Sequence, residues 1–564
     1  MNLGERVKKA IGVEGSFKET ILPMIYYSCT NIFAGGAGYI IGLYFLPFLT
    51  EVENIDTNLA GLVVMFATVW DAVTDPAMGI ITDRTHSRLG KHRKYLALGA
   101  PVLAASFIML WCSFGISAKG NPTLTMLYYT LVYMLYKTAY TIIMVPHTAM
   151  LPEMAPDYSL RTQYVSVGYL FNSAGMVPSF LFVACIFGFV NMKNFSSDDR
   201  GRFMWSGVVL ALFYAAGVLI TFFKTKEKSS EHNEYPHFDK SYVFREYAQV
   251  FRNRSFRQYF VISLFYTMST GFYNNTKYYL IRYVANKSSL YNLLTSVAGV
   301  AEASAFPFNY ALTMKYGKKR CGTIVTPLMI AGLAIGLFVP ETGGGAKSLI
   351  TAVLLFLSMV LYPFGFSGIG FVTNNIFPDI TDVDELITGR RREGVISTFS
   401  TLIKKSVSGV MSAFVGFILK GFGLVTGDAV AEYEKLNNTV YPQSAAGILG
   451  VRLCVAAIPL VLTAISLICL RRFNMTKNDH DMIRAAIATK KKYGSVKLTK
   501  EQITICEQIS GQKFCDMWIG QNNESTFTDE NGEKKEPVLE KDENGEYIIP
   551  DAPEENETKE VNVK

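Results

Sequence analysis

Trp70-Asp71-Ala72-Val73-Thr74-Asp75-Pro76-Ala77-Met78-Gly79-Ile80-Ile81-Thr82-Asp83-Arg84 sets two carboxylates inside an apolar run and then meets a basic turn. Asp71 and Asp75 are four residues apart, so on a helix they share one face, with Cβ atoms roughly 5–6 Å apart. A charge at the centre of a bilayer costs about 2.5–3.5 kcal/mol on the insertion scale, so acids inside a membrane segment mark ion pathways. Two carboxylates this close in apolar surroundings do not readily both stay ionised, and the pair is expected to take up a proton or a small cation. Pro76 removes a helical hydrogen bond and disfavours regular helix at Asp75. Carbonyl oxygens freed there, beside the carboxylates and the Thr74 hydroxyl, suit a hard cation such as Na⁺.

The surroundings of this stretch read as membrane. Of 564 residues, 50% are hydrophobic, 13% aromatic and only 18% charged. Twelve apolar runs are long enough to cross a hydrocarbon core of about 30 Å, which takes roughly 20 helical residues. They lie near 24–49, 59–82, 94–117, 123–150, 163–190, 203–223, 259–283, 290–314, 321–340, 348–375, 395–425 and 447–471. The expected fold class is an all-α membrane protein of twelve transmembrane helices in two six-helix halves.

The net charge of +7 does not indicate nucleic acid, because the basic residues gather at alternate ends of the runs. Arg84, Arg88, Lys91, Arg93 and Lys94 follow the second run, Lys318, Lys319 and Arg320 the eighth, Arg390, Arg391 and Arg392 the tenth, and Arg471 and Arg472 the twelfth. The positive-inside bias makes these ends, and both termini, cytoplasmic. Loops at the opposite ends carry Glu51, Glu53 and Asp56, or Asp428, Glu432 and Glu434. The eight cysteines lie mostly in the apolar runs without metal-ligand spacing and are expected to pack. Residues 1–23 lead into a first span too long for a cleavable signal, which is expected to remain.

Other spans carry polar candidates. The first holds Tyr27 and Asn31 beside the run Ala34-Gly35-Gly36-Ala37-Gly38, whose small residues allow close helix approach. In the fourth, Lys137 lies about fourteen residues, roughly 20 Å, from either end, too deep to snorkel out. It shares a helical face with Tyr133, Tyr140, Thr141 and Met144, ahead of Pro146 and His147. It either pairs with Asp71 or Asp75 or meets an anionic substrate in a cavity. Asn172 lies in the fifth span, Tyr273 and Asn274 in the seventh, and Lys404 and Lys405 enter the eleventh. Adjacent helical residues point about 100° apart, so only one of the two lysines reaches a given cavity. Tyr27, Asn31, Tyr140, His147, Asn172, Tyr273, Asn274 and Lys404 are the substrate-binding candidates. Glu302, in the eighth span, either lines the cavity or pairs with a neighbouring helix. Hydroxyls, amides and aromatic faces suit a hydroxylated substrate, and equally a nucleoside, an amino acid or a lipid headgroup.

The two halves echo each other. Gly90-Lys91-His92-Arg93-Lys94 resembles Gly317-Lys318-Lys319-Arg320, and Pro152-Glu153 with Arg161 resembles Pro378-Asp379 with Arg390. Duplicated halves around a midplane site are the plan of transporters that alternate access by rocking one half on the other. The expected divisions are a first half over 1–223, a cytoplasmic linker over 224–258, a second half over 259–475 and a cytoplasmic tail over 476–564. The tail reads as amphipathic helices over Asp479–Tyr493 and Thr499–Ile509. From Gln521 onwards, fourteen Asp or Glu against five Lys predict a segment without fixed structure.

Two blocks carry a resemblance to a known family. They are Asp71-Ala72-Val73-Thr74-Asp75-Pro76-Ala77-Met78-Gly79 with Asp83-Arg84-Thr85-His86-Ser87-Arg88-Leu89-Gly90-Lys91, and Pro378-Asp379-Ile380-Thr381-Asp382-Val383-Asp384-Glu385 with Thr388-Gly389-Arg390-Arg391-Arg392-Glu393-Gly394. Both resemble the glycoside-pentoside-hexuronide:cation symporters of the major facilitator superfamily, over roughly residues 20–475. The resemblance implies that Asp71 and Asp75, with Thr74 and Thr141, bind a coupling Na⁺ or H⁺. It places Lys405 beside them and makes Asp83, Arg84, Arg88, Lys91, Asp379, Asp382, Arg390 and Arg391 cytoplasmic gate motifs. The chain departs from the family's melibiose transporter where Met144 replaces a third cation-site acid. Gly35, Gly168 and Thr148 replace a sugar-binding Asp, Arg and Trp, so melibiose itself is not expected. Lys137, an added positive charge, is expected to neutralise part of the acid pair, weaken Na⁺ binding and favour proton coupling or exchange.

The leading expectation is cation-coupled symport of a glycoside, oligosaccharide, pentoside or hexuronide by a monomer in the cell membrane. The competing readings are a lysolipid or other amphiphile as cargo, and a nutrient sensor that binds without accumulating. No metal-ligand set, nucleophile elbow or phosphate loop points to an enzyme, and no cofactor is expected.

Overall fold

A computed structural model describes residues 21–83, 85, 87, 89–116, 120–154, 163–164, 167–168, 170–172, 174–177, 195, 197–226, 249–341, 346–390, 392–437, 440–521, 537–539, 541 and 547–550. Within them the chain is helical, and no strand forms beyond isolated bridges. The first set of helices is α1 (Leu22–Pro47), α2 (Thr57–Asp83), α3 (Arg93–Leu110), α4 (Pro122–Ala149) and α5 (Arg200–Lys224). The second is α6 (Arg254–Tyr279), α7 (Tyr291–Tyr316), α8 (Lys318–Leu337), α9 (Ala346–Thr388) and α10 (Glu393–Gly421), followed by a short α11 (Asp428–Asn437). The last span runs through α12 (Ala445–Arg452) and α13 (Ile458–Arg471), joined by one π turn. Helical pieces within 163–177 mark the fifth span.

Local chemistry starts these helices where they start. Asn121 caps α4, its side-chain oxygen accepting from the Leu124 N–H, with Pro122 at the first position. Asn253 caps α6 by accepting from the Phe256 N–H. Eight spans are both long and apolar enough to cross a membrane. The helices α4, α6 and α7 fall outside that set, and they carry Lys137, Lys277 and Glu302. Spans that are too polar for lipid on all sides belong against an interior, and that is where these three sit.

Within each set the helices pack on one another, and the sets meet mainly through α2 against α10. The first set is filled with aromatic rings: Phe45 of α1 and Phe48 of the π turn that follows it pack on Trp111, Tyr129 and Tyr133, and Phe107 on Tyr136 and Tyr214. At the acidic end of the bundle the sets are sealed together. Tyr44 donates to the Asn292 side chain at 2.7 Å and Tyr291 to the Leu43 carbonyl at 3.0 Å. Buried Glu51 accepts from the Tyr283 hydroxyl at 2.6 Å and from the Gly427 N–H at 3.1 Å.

At the opposite, basic end, α9 runs on. Its 43 residues measure about 65 Å, twice a hydrocarbon core of about 30 Å. The projecting end carries α14 (Lys477–Tyr493) and α15 (Lys500–Ser510), each begun by a capping box and ended by a left-handed glycine, Gly494 and Gly511. Met482, Ile483, Ala486, Ile487, Cys506 and Ile509 share one apolar core with Val383 and Leu386 of α9 and Phe256 of α6. The segment expected to lack fixed structure contributes to this module. Lys497 donates its N–H to the Pro537 carbonyl at 2.9 Å, and Leu539 and Tyr547 pack on the core. Those few apolar side chains find a ready surface, which an acidic composition taken alone does not reveal. Most of the 224–258 stretch lies outside the described residues.

Candidate cation site and substrate cavity

The acid pair sits on α2 where it crosses α4 and α10. Trp70 donates its ring N–H to the Thr138 hydroxyl at 2.9 Å, fixing α2 against α4. Asp71 is 1% exposed and Asp75 partly buried. Lys405 of α10 inserts its Nζ between them, 2.8 Å from Asp71 Oδ2 and 2.5 Å from Asp75 Oδ2. Thr141 lies within hydrogen-bond reach of both acids, 3.2 Å from Asp71 Oδ1 and 2.8 Å from Asp75 Oδ1, and its single proton serves one at a time. Lys137 approaches Asp71 from α4 at 3.5 Å, held between the rings of Tyr133 and Tyr140. Thr74 turns away, donating to the Asp71 backbone carbonyl at 3.2 Å. Met144 packs in the apolar cluster.

The arrangement is chemically definite. Two carboxylates and one hydroxyl supply hard oxygen donors fit for Na⁺ or a proton, and two ammonium groups balance their charge. The Lys405 ammonium stands where a cation shared by both acids would stand. Of the two adjacent lysines, Lys404 instead donates to the Tyr259 hydroxyl at 2.8 Å, away from the acids.

Four substrate candidates come together and the rest do not. Tyr27, Asn31, His147 and Asn172 line one cavity of about 260 Å³ with Thr148, Leu151, Tyr164 and Gly168. The Tyr27 and His147 rings stack at 4.2 Å, while Tyr27 donates to the His147 carbonyl at 3.0 Å and His147 Nε2 to the Tyr27 carbonyl at 2.9 Å. That leaves His147 Nδ1, buried and without a partner among the described residues, as an acceptor. Among the described residues, no acid, lysine or arginine lines this cavity. The positions where the resemblance expects sugar-binding charges are closed to them. A Cβ on Gly35 would stand 2.0 Å from the Asn172 carbonyl oxygen, and one on Gly168 2.8 Å from Asn31 Nδ2. Tyr140 packs on Phe33, and Tyr273 is buried, stacked on Tyr362 at 3.6 Å and bonded to the Met359 sulfur. Asn274 is exposed and accepts from Lys277 at 3.4 Å.

The gate motifs lie at the basic end. Arg84, Arg88 and Arg391 fall outside the described residues, Asp83 ends α2, and Lys91 lies in the turn before α3. Asp379 takes both oxygens to Lys318 Nζ at 2.7 Å, Asp382 bonds His480 of the tail at 2.9 Å, and Arg390 is exposed. Sequence reasoning passed over Asp384, which pairs with Arg392 at 2.8 Å, and Glu385, which pairs with Lys491 of the tail. It also passed over Lys277. Its signal was the four-and-seven spacing of Tyr266, Thr270, Tyr273 and Lys277, which puts it on the polar face of α6.

Two helical sets, polar helices among them, and a buried cluster of acids and lysines fit a secondary transporter of the major facilitator fold. Solved structures carry the same fold: the nucleoside transporter NupG superposes with a TM-score of 0.53 at 14% identity, covering 80% of this chain and 97% of that one. The sequence goes further, since residues 26–477 match the family model described as MFS/sugar transport protein. The chain belongs to that family, within the glycoside-pentoside-hexuronide:cation symporters, and is not an enzyme. Its relatives include the uncharacterized symporter YnaJ of Bacillus subtilis, 24% identical over 81% of this chain and 92% of the relative. The lactose permease of Lactobacillus helveticus is 22% identical over 84% of this chain and 74% of the permease.

Proposed function

We propose that this chain accumulates a glycoside or short oligosaccharide by symport with H⁺ or Na⁺, working as a monomer in the cell membrane. The basic end of the bundle and both termini face the cytoplasm, and the halves 1–223 and 259–475 rock about the linker 224–258. The observation that carries the coupling is the Lys405 Nζ seated between Asp71 and Asp75. It acts as a tethered cation. A proton on Asp75, or Na⁺ between the two acids, competes with it and releases α10 from α2, so ion binding and helix separation share one set of contacts. Lys137, the second positive charge, opposes Na⁺ more than it opposes a proton, which needs only one oxygen. Proton coupling is the favoured mode. The substrate enters the cavity lined by Tyr27, Asn31, His147 and Asn172.

Uptake of labelled lactose, isoprimeverose and other glycosides into proteoliposomes, under a pH or a Na⁺ gradient, tests the reading with Asp75→Asn alongside. Accumulation driven by the pH gradient and reduced in Asp75→Asn to equilibration, a loss of about tenfold or more for one deleted coupling group, is the expected result. Accumulation that survives intact in Asp75→Asn would sink it.

A further inference from the structure

Outside the acid pair and its lysines, Lys277 on α6 and Glu302 on α7 are a further opposed pair of charges within the helical runs. The face of α7 that carries Glu302 is the one turned to the other half. Tyr291, Asn292 and Gly299 fall on that face, and they meet α1 through the Leu43 carbonyl, the Tyr44 hydroxyl and, at 3.8 Å from a Cβ on Gly299, the Tyr39 hydroxyl. Glu302 lies one turn beyond Gly299, on the side away from the acidic-end seal. Its side chain is exposed, yet it sits deep enough among the helices to act electrostatically on Tyr39, Tyr266, Tyr362 and Lys277. Both facts leave the carboxylate accessible beside the rings of Tyr39, Tyr266 and Tyr362.

The two charges do not satisfy each other. Glu302 has no hydrogen bond or ion pair among the described residues, and no Lys277 nitrogen comes within 4.0 Å of it. Lys277 has a single long bond, to Asn274 at 3.4 Å. Charges inside a membrane protein pair or face water, and they mark substrate paths. Beside them runs a ladder of rings: Tyr273 on Tyr362, Tyr362 on Phe366 at 6.1 Å, and Phe366 on Tyr266 at 5.6 Å.

We propose that Lys277 and Glu302 form the C-terminal half's subsite for the transported molecule and select a neutral, polyhydroxylated ligand over an anionic one. The subsite rests on the sugar-transport reading above and narrows it. A ligand held between opposite charges that do not touch must donate to one and accept from the other. Vicinal sugar hydroxyls donate in pairs to a carboxylate, and a further hydroxyl or ring oxygen accepts from the ammonium. Such charge-assisted bonds are roughly twice as strong as neutral ones. A hexuronide gains at Lys277 what it loses by facing the like charge of Glu302. The cavity of Tyr27, Asn31, His147 and Asn172 carries no lining charge among the described residues, whereas Lys277 and Glu302 bring both signs to the C-terminal half.

The test uses full-length protein in proteoliposomes with three probes: lactose, isoprimeverose and 4-nitrophenyl β-D-glucuronide. Wild type is compared with Glu302→Gln, Glu302→Asp and Lys277→Met. For a neutral probe that wild type accumulates, Glu302→Gln and Lys277→Met are expected to raise KM about tenfold or more while leaving Vmax within about twofold, with part recovered in Glu302→Asp. Glu302 has no hydrogen bond or ion pair among the described residues, so its amide variant is expected to keep the fold and decides the matter should Lys277→Met fail to fold. An unchanged KM in Glu302→Gln, with wild-type uptake intact, overturns the subsite and leaves sugar transport standing. Wild-type uptake of the glucuronide and neither neutral sugar overturns the assigned class. Uptake of none of the three by folded wild type overturns the sugar reading and the subsite with it.

Discussion

Two of the charge groups in this bundle are built on opposite terms. Asp71 and Asp75 of the N-terminal half are met by Lys405, Lys137 and Thr141 at distances of 2.5–3.5 Å. In the C-terminal half, among the described residues, Glu302 has no hydrogen bond or ion pair and Lys277 bonds only the Asn274 amide. The difference teaches what each is for. A buried charge with a resident partner holds helices together until a competitor arrives, whereas one without a partner is waiting for something to be brought to it. On the proposed reading the first geometry serves coupling, where protein contacts must break, and the second recognition, where ligand contacts must form.

The contrast is broken most directly at Lys405. Its replacement by Ala leaves two carboxylates facing each other in a partly buried site, and the loss is bounded above by the roughly 3–5 kcal/mol of a fully buried pair that loses one partner. Lys405→Ala is expected to lose gradient-driven uptake and to melt well below wild type, with part of the stability regained on adding Asp71→Asn. A double variant no more stable than the single one would show that Lys405 does not serve the acids. Lys137→Ala removes the longer, single contact and should cost less. Its expected effect is a gain, with Na⁺ binding tightened severalfold, about 1 kcal/mol, as measured by Na⁺-dependent thermal shift. An unchanged Na⁺ response would separate Lys137 from the coupling site. The smallest effect is expected outside both groups. Lys491→Met removes the tail's bond to Glu385, and its uptake should stay within about twofold of wild type, as for most changes away from a functional site. Alkylation reports whether the tail stays docked: burial pushes the Cys506 thiol up to about 12, while Cys515 is exposed. At pH 8 maleimide should label Cys515 and spare Cys506 in the folded tail. Lost uptake in a variant with Cys506 still protected would give the tail a share in transport.

Much of the coupling site was legible because its signals are costly to carry without purpose. Acids at 71 and 75 and a lysine at 137, far from either end of a span, admit few explanations, and helical spacing brings them to shared faces. Lys405 was legible through family resemblance only. Spacing says that Lys404 and Lys405 diverge but not which one turns inward, and Tyr259, the partner that draws Lys404 aside, comes from another helix. Lys277 was hidden because it lies near the end of the run 259–283, where a lysine reads as snorkelling; the π turn Leu280–Val284 extends the helix past it. Thr74 seemed a ligand because it sits between the acids in sequence, yet a helical threonine finds a backbone carbonyl first. The tail helices were plain from their patterning. Their docking was not, since an amphipathic face announces that it will be covered and does not say by what.

The length of α9 carries a mechanical consequence. One unbroken rod begins at the acidic end of the bundle, crosses it, and grips the tail module through Val383, Leu386 and Glu385. A tilt at the buried end of such a lever becomes a larger sweep at its far end. A spin label on α14 paired with one on α3 would then act as a pointer, reading out in aqueous solution a rotation that takes place out of sight in the lipid.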